Sequence, residues 1–189
     1  MAVETEIKIQ ISDLEKIKKM LLDLNARVLS ARHFEENFVL DTQEGRLRAG
    51  QCLLRVRKTK GKGSVTFKGP VRPLGIFKSR EEHETVVQNA DTMLEIFQDI
   101  GMKIWFRYEK YREEFSVPVS SGPPGEIVVS LDDTPIGKYA ELEGSEEGIR
   151  EIAGKLGFSE SQFLRDSYYS LFARFCRDHG EGPGHMVFH

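Results

Sequence analysis

The amino-acid sequence predicts an α+β fold in which eight antiparallel strands close into a β-barrel and the helices pack outside it. Three observations carry this expectation. Extended, alternating segments fill most of the chain and only four stretches have helical spacing, which is not the βαβ alternation of a parallel sheet. Charged residues recur two apart within those segments, with apolar residues between them. A strand bearing Glu-x-Glu stands beside a capped helix three times, at Glu4/Glu6 before Ser12, Glu82/Glu84 before Asp91 and Glu141/Glu143 next to Ser145.

The strands are predicted at 2–10, 32–41, 51–59, 63–69, 78–88, 103–117, 126–133 and 138–143. Gly61 and Gly63 mark a tight hairpin between the third and fourth. Pro70 to Phe77 reads as a longer loop, and Gly122-Pro123-Pro124-Gly125 as a turn. The first helix opens at Ser12 with Glu15 as its capping-box partner and carries Leu14, Ile17, Leu21 and Leu24 at helical spacing. The second starts near Asp91 and stops at Gly101. The third runs from about Ser145 to Gly157, and the fourth from Ser159, boxed by Gln162, to about Arg177. Residues 1–178 read as a single domain, and 179–189 as a flexible C-terminal tail.

A chain of 189 residues with 39% apolar content buries one core of ordinary size. The net charge of -3 gives no general pull on double-stranded nucleic acid. No apolar run approaches the length of a membrane span, and no signal peptide opens the chain, so a cytoplasmic protein is expected. Cys52 and Cys176 stand far apart without a CxxC partner, which points to reduced thiols.

The charge pattern carries the chemistry. Side chains at i and i+2 of a strand share a face. Glu4, Glu6 and Lys8 form one such row, and Arg55 and Arg57 a second. Lys68 follows Thr66. Arg80, Glu82 and Glu84 form a fourth row, Lys110 and Arg112 a fifth, and Tyr139, Glu141 and Glu143 a sixth. A half-exposed strand explains any one of them. Six rows with same-sign neighbours call for something of opposite charge between the members. The arrangement that supplies it is a barrel turned partly inside out, apolar outside and charged within. Eight strands leave room for one small ligand. Arg and Lys suit phosphate oxygens and Glu suits a hard divalent cation, so a metal–triphosphate fits both sets. Charge alone does not separate it from another polyanion.

These rows resemble the signature of the CYTH superfamily, the triphosphate tunnel metalloenzymes, in its bacterial class IV adenylyl cyclase-like and thiamine triphosphatase-related branch. The resemblance rests on Glu4-Thr5-Glu6-Ile7-Lys8, Leu54-Arg55-Val56-Arg57, Thr66-Phe67-Lys68-Gly69-Pro70, Arg80-x-Glu82-x-Glu84, Lys110-x-Arg112, Leu131-Asp132, Gly137-Lys138-Tyr139-Ala140-Glu141-Leu142-Glu143 and Ser167-Tyr168-x-x-Leu171. It covers about residues 2–172. It implies that Lys8, Arg55, Arg57, Lys68, Arg80, Lys110, Arg112 and Lys138 hold phosphates. It implies likewise that Glu4, Glu6, Glu82, Glu84, Asp132, Glu141 and Glu143 hold Mg²⁺ or Mn²⁺, with Glu4, Glu6, Lys8 and Arg57 central to catalysis. The expected activity is metal-dependent hydrolysis of inorganic or organic triphosphates. The alternatives are cyclisation of ATP to cyclic AMP and a non-catalytic polyphosphate-binding module. A small triphosphate is the expected partner, and the relatives point to a homodimer.

Other features read as structural. His33 and His83 have no second histidine nearby, and His179, His185 and His189 lie in the tail. Gly61-Lys62-Gly63-Ser64 lacks the spacing of a phosphate loop. Phe34, Phe38, Trp105 and Phe106 are expected beneath helices. The stripe Phe163, Tyr168, Leu171 and Phe175 is expected on the barrel wall or across one end.

Overall fold

The computed structural model describes residues 2–120 and 125–189, with the side chains of 2–4 and 72–74 outside that description. Of the turn expected at Gly122-Pro123-Pro124-Gly125, the first three residues lie outside the described ones. The strands are β1 (Ala2–Ile11), β2 (Arg27–Thr42), β3 (Leu53–Thr59), β4 (Lys62–Lys68), β5 (Arg72–Leu74), β6 (Phe77–Val87), β7 (Met102–Pro118), β8 (Glu126–Thr134) and β9 (Gly137–Glu143). They run in the order β1-β9-β8-β7-β2-β3-β4-β6, and β6 pairs back onto β1. Eight antiparallel strands therefore form a closed ring. The short β5 pairs with β6, inside the segment expected to be a loop.

Alternation along the strands decides what each face buries. Ile7, Ile9 and Ile11 of β1, Ile127, Val129 and Leu131 of β8, and Ala140 and Leu142 of β9 turn outward. They pack with Ile17 and Leu21 of α1 (Leu14–Asp23) and with Ile149, Ile152 and Ala153 of α4 (Glu146–Lys155). Each such side chain contributes about 1.5–3 kcal/mol by leaving water. Leu40 and Val56 pack under Ala90 and Leu94 of α3 (Ala90–Asp99). The β3–β4 hairpin admits this helix because residue 63 is glycine. A Cβ there would lie 2.7 Å from the Ala90 Cβ.

Ser145 caps α4 where expected, and two other caps fall one or two residues from their expected places. Asp13, rather than Ser12, accepts from Lys16 N, because β1 continues until Ile11 is buried. Asn89, rather than Asp91, caps α3 by accepting from Asp91 N and Thr92 N. The short α2 (Arg46–Ala49) is organised by the buried Asp41 carboxylate, which accepts from Leu47 N and Arg48 Nε.

Two expectations are corrected. The continuous helix from Ser159 is broken: a 3₁₀ turn at Glu160–Gln162 keeps the Ser159/Gln162 box, and α5 (Tyr168–Asp178) starts afresh under a Ser167 cap. Between them Leu164 exchanges both backbone hydrogen bonds with Lys8, so its N–H and C=O are taken by a strand. The tail is not frayed. Met186 is fully buried, bonds Arg107 O and Glu109 N through its backbone, and packs among the residues under α5. Phe188 lies against Phe34 and Tyr111, so Phe34 is covered by the tail and not by a helix. Among the described residues no helix is long and apolar enough to cross a membrane.

Candidate active site

The inward faces of the barrel carry the charged rows. β1 contributes Glu6 and Lys8, β3 Arg55 and Arg57, and β4 Lys68. β6 contributes Lys78, Arg80, Glu82 and Glu84, β7 Lys110, Arg112 and Glu114, and β9 Glu141 and Glu143. With Arg48 from α2 they border a cavity of about 640 Å³, in the size range that holds a small organic ligand. The described lining has nine Lys and Arg against six Glu, a formal excess of three positive charges in a chain of net charge -3. Glu35, Asp41 and Asp132, buried behind this lining as partners of Arg57, Arg48 and Arg112, bring the sum to zero.

One end of the cavity is closed. Tyr168, Leu171 and Phe172 of α5 pack on Val39, Phe106, Tyr108 and Tyr139, which continue the inward rows of β2, β7 and β9. The expected aromatic stripe thus lies partly across one mouth of the barrel. Trp105 and Phe106 sit beneath α5, both in contact with Tyr169.

Buried charges need partners, and the lumen supplies them from its own walls. Lys8 Nζ lies 3.0 Å from Glu141, and Lys78 Nζ 2.6 Å from Glu6. Lys68 Nζ lies 2.8 Å from Glu82. Arg55 bonds the Thr66 hydroxyl at 3.0 Å, and Thr66 in turn donates to Glu84 at 2.5 Å. Arg57 lies 3.2 Å from Glu35 and donates to Asn37 Oδ1 at 3.0 Å. Deepest is Asp132, with no exposed surface. It takes a bidentate pair from Arg112 at 2.7 and 2.6 Å, Lys110 Nζ at 3.0 Å and the Tyr168 hydroxyl at 2.5 Å. Arg112 also bonds Glu141.

Proton affinities expose two regions of opposite demand. Burial, and then Arg55 beside it, lowers the affinity of Arg57 for its proton. Burial lowers that of Lys78, with Lys8 and Arg80 adding to the effect against Glu6. Burial alone would raise the Tyr108 phenol, yet Arg55, Lys110 and Arg57 outweigh it and lower it. These groups sit in a field that an added anion relieves. The converse holds at Glu143. Partial withdrawal from water raises its carboxyl, and Glu6, Glu82 and Glu141 add to this against the pull of Lys68. Glu6 itself is held well below the usual range, because Lys8, Lys78 and Lys68 overcome the effect of its burial.

The structure brings Glu6, Lys8, Arg55, Arg57, Lys68, Arg80, Glu82, Glu84, Lys110, Arg112, Glu141 and Glu143 to one cavity. Glu4 stands opposite Arg80 in the β1–β6 register, and its side chain lies outside the described residues. Two expectations are corrected. Lys138 alternates with Tyr139 and Glu141 along β9 and shares the outward face of Ala140 and Leu142, so it does not border the lumen. Asp132 likewise does not border the cavity: it is buried beneath two cations and a phenol that bond its carboxylate.

Lys78, Glu35, Asn37, Thr66, Tyr108 and Tyr168 join the site without having been singled out for it. Lys78 was legible, since it extends the Arg80–Glu82–Glu84 row by one more step of two. Glu35 and Asn37 were masked by the aromatic residues around them in β2.

The carboxylates fit a divalent cation in kind. Glu6, Glu82, Glu141 and Glu143 are hard oxygen donors, and burial first, with Glu6, Glu82 and Glu141 adding to it against Lys68, raises the Glu143 carboxyl. Among the described residues no three potential ligands already converge on one point. Holding an ion therefore requires these side chains to exchange their lysine partners for it.

Comparison with known proteins gives the family and the fold. The family model described as the CYTH domain matches residues 2–174. A Methanocaldococcus jannaschii protein provisionally named an adenylate cyclase is 29% identical over 180 residues, covering 89% of this chain and 98% of its own. A Vibrio parahaemolyticus structure, also provisionally named an adenylate cyclase, superposes with a TM-score of 0.73 at 19% identity, over 90% of this chain and 97% of that one. A Hippeastrum protein described as an adenylyl cyclase with a dominant triphosphatase activity superposes with a TM-score of 0.59 at 16% identity, over 94% and 96%. At these identities the two structures speak for the fold.

Proposed function

The chain belongs to the CYTH family, and from that premise we propose that it is a divalent-metal-dependent triphosphatase acting inside its barrel. The observation that carries this reading is the convergence of nine Lys and Arg side chains among the described residues on one cavity in an acidic chain. A row of phosphates is the anion that several cations on facing strands can neutralise together.

In this reading Arg55, Arg57, Lys110 and Arg112 on one side, and Lys8, Lys68, Lys78 and Arg80 on the other, take phosphate oxygens. Each phosphate oxygen replaces a wall carboxylate as the partner of a buried cation, so the cations stay compensated throughout. Glu6, Glu82, Glu141 and Glu143, released from Lys78, Lys68 and Lys8, are the residues that would hold Mg²⁺ or Mn²⁺, with Glu4 and Glu84 as further candidates on the same rows. Bound there, the ion supplies charge neutralisation and an oriented, more acidic water. Phosphoryl transfer depends mainly on positioning and electrostatic stabilisation, which fixed Arg and Lys side chains lining the lumen provide. No covalent nucleophile is needed. A location in the cytoplasm accords with this reading.

The name of the M. jannaschii relative favours a second reading, cyclisation of ATP in the same lumen. One experiment addresses both. Purified protein is incubated with tripolyphosphate, thiamine triphosphate or ATP, each with Mg²⁺ or Mn²⁺, and orthophosphate and cyclic AMP are quantified. Metal-dependent orthophosphate release is the expected result. Cyclic AMP and pyrophosphate as the main products of ATP would replace hydrolysis by the second reading. Tight binding of tripolyphosphate without turnover under any metal would remove both.

A further inference from the structure

The segment after α4 reaches the lumen cations in two places, through atoms of different kinds. Its first contact is made by backbone. β6 pairs with β1 only from Ala2 to Glu6, so beyond Glu6 that edge of β1 is left by its neighbour. Leu164 fills the edge at Lys8, where Lys8 N donates to Leu164 O at 2.9 Å and Leu164 N to Lys8 O at 2.8 Å. This reciprocal bridge fixes the strand that carries Lys8 into the cavity. It also ends the helical run that the sequence otherwise supports.

The second contact is made by a side chain four residues later. Tyr168, the first residue of α5, is buried and borders the cavity. Its hydroxyl donates to Asp132 Oδ2 at 2.5 Å, the oxygen that also takes Lys110 Nζ at 3.0 Å and Arg112 Nη2 at 2.6 Å. Its ring lies 5.1 Å from both Lys8 Nζ and Lys110 Nζ, within cation–π range. One phenol thus touches two ammonium groups of facing rows and the carboxylate that anchors a third cation. Burial, then Asp132 and Glu141, hold the phenol protonated and so keep it a donor.

We propose that Tyr168 is a positioning residue for the triphosphate site: through Asp132 and its ring face it holds Lys8, Lys110 and Arg112 directed at the phosphate chain, with the Leu164–Lys8 bridge fixing the strand beneath. The proposal rests on the triphosphatase reading for its kinetic test but not for its binding test. Without the hydroxyl, Asp132 has only Lys110 and Arg112 as partners and draws their charge away from the lumen. A hydrogen bond to a charged group is worth about tenfold or more in an equilibrium constant.

The experiment compares the full chain with Tyr168→Phe, Asp132→Asn and the double variant. Tripolyphosphate binding is measured by calorimetry without metal, and kcat and KM with Mg²⁺. Tyr168→Phe is expected to weaken binding and raise KM by about tenfold while kcat changes less. The double variant is expected to match Asp132→Asn alone, because the hydroxyl acts through that carboxylate. Binding unchanged in Tyr168→Phe, with only a lowered melting temperature, would assign the residue to packing alone and overturn the proposal. So would a double variant impaired by the full product of the two single effects. If Tyr168→Phe fails to fold, 3-fluorotyrosine at 168, a stronger donor of nearly the same shape, is expected to tighten binding, and no change would overturn the proposal. Lack of turnover by the unaltered protein defeats the triphosphatase reading and leaves the binding comparison intact.

Discussion

Replacing Asp132 with Asn keeps the size and shape of the side chain and removes its charge. Four donor contacts converge on the carboxylate: two from Arg112, one from Lys110 and one from Tyr168, all in the barrel interior. The change leaves two buried cations short of their anion, and an uncompensated buried charge costs about 3–5 kcal/mol. For a chain of this length each kcal/mol moves the melting temperature by about 2–4 °C. A fall of roughly 6–20 °C is therefore expected by differential scanning fluorimetry. Tripolyphosphate should raise the melting temperature of the variant less than that of the unaltered protein, because Lys110 and Arg112 are no longer held toward the phosphate chain. A variant that melts within about 2 °C of the parent, or gains as much from tripolyphosphate as the parent does, would refute the view that Asp132 balances and positions the lumen cations.

Arg57→Ala and Glu6→Gln should each lower triphosphate turnover at least tenfold, since one transition-state donor is worth about 2.7–4 kcal/mol. Unchanged circular dichroism would show that both stay folded. Lys138→Ala should leave kcat and KM unaltered, because that side chain faces away from the lumen; a tenfold loss of activity would place it back in the site. Met186→Ala should cost about 2–5 kcal/mol, read by urea unfolding, since the side chain is fully buried. His33 bonds Glu35 first of all, which raises its pKa above 6.5. Its contribution to stability should thus be complete below pH 6.5 and fade as pH rises through the folded value. An NMR titration should show that pKa returning toward 6.5 in Glu35→Gln.

The rows of charges two apart made the inner face of the barrel readable from the chain, because strand alternation has a period of two whatever the fold around it. That is why Glu6 and Lys8, Arg55 and Arg57, and Glu141 and Glu143 could be assigned to one lumen. Lys138 shows the limit of matching a motif without its face, since it lies within a signature segment yet one step out of phase. The break after Gln162 was not legible for a different reason. Ser159, Gln162, Phe163 and Leu171 satisfy helical rules locally, and a backbone bridge to a residue 156 positions earlier overrides them.

Local chemistry thus determined the eight barrel strands, though β2 starts at Arg27 and not at 32, the caps of α1, α3 and α4 to within two residues, the polarity of each face and the identity of the cations. Pairing of charges was left to the assembled barrel. Which carboxylate neutralises which cation depends on strand register and on depth below the lumen, and both are set by contacts between residues far apart in the chain. Asp132 lies outside the cavity lining because β8 places it behind Lys110 and Arg112. Tyr168 entered the site because Leu164 fills the edge of β1 that β6 leaves.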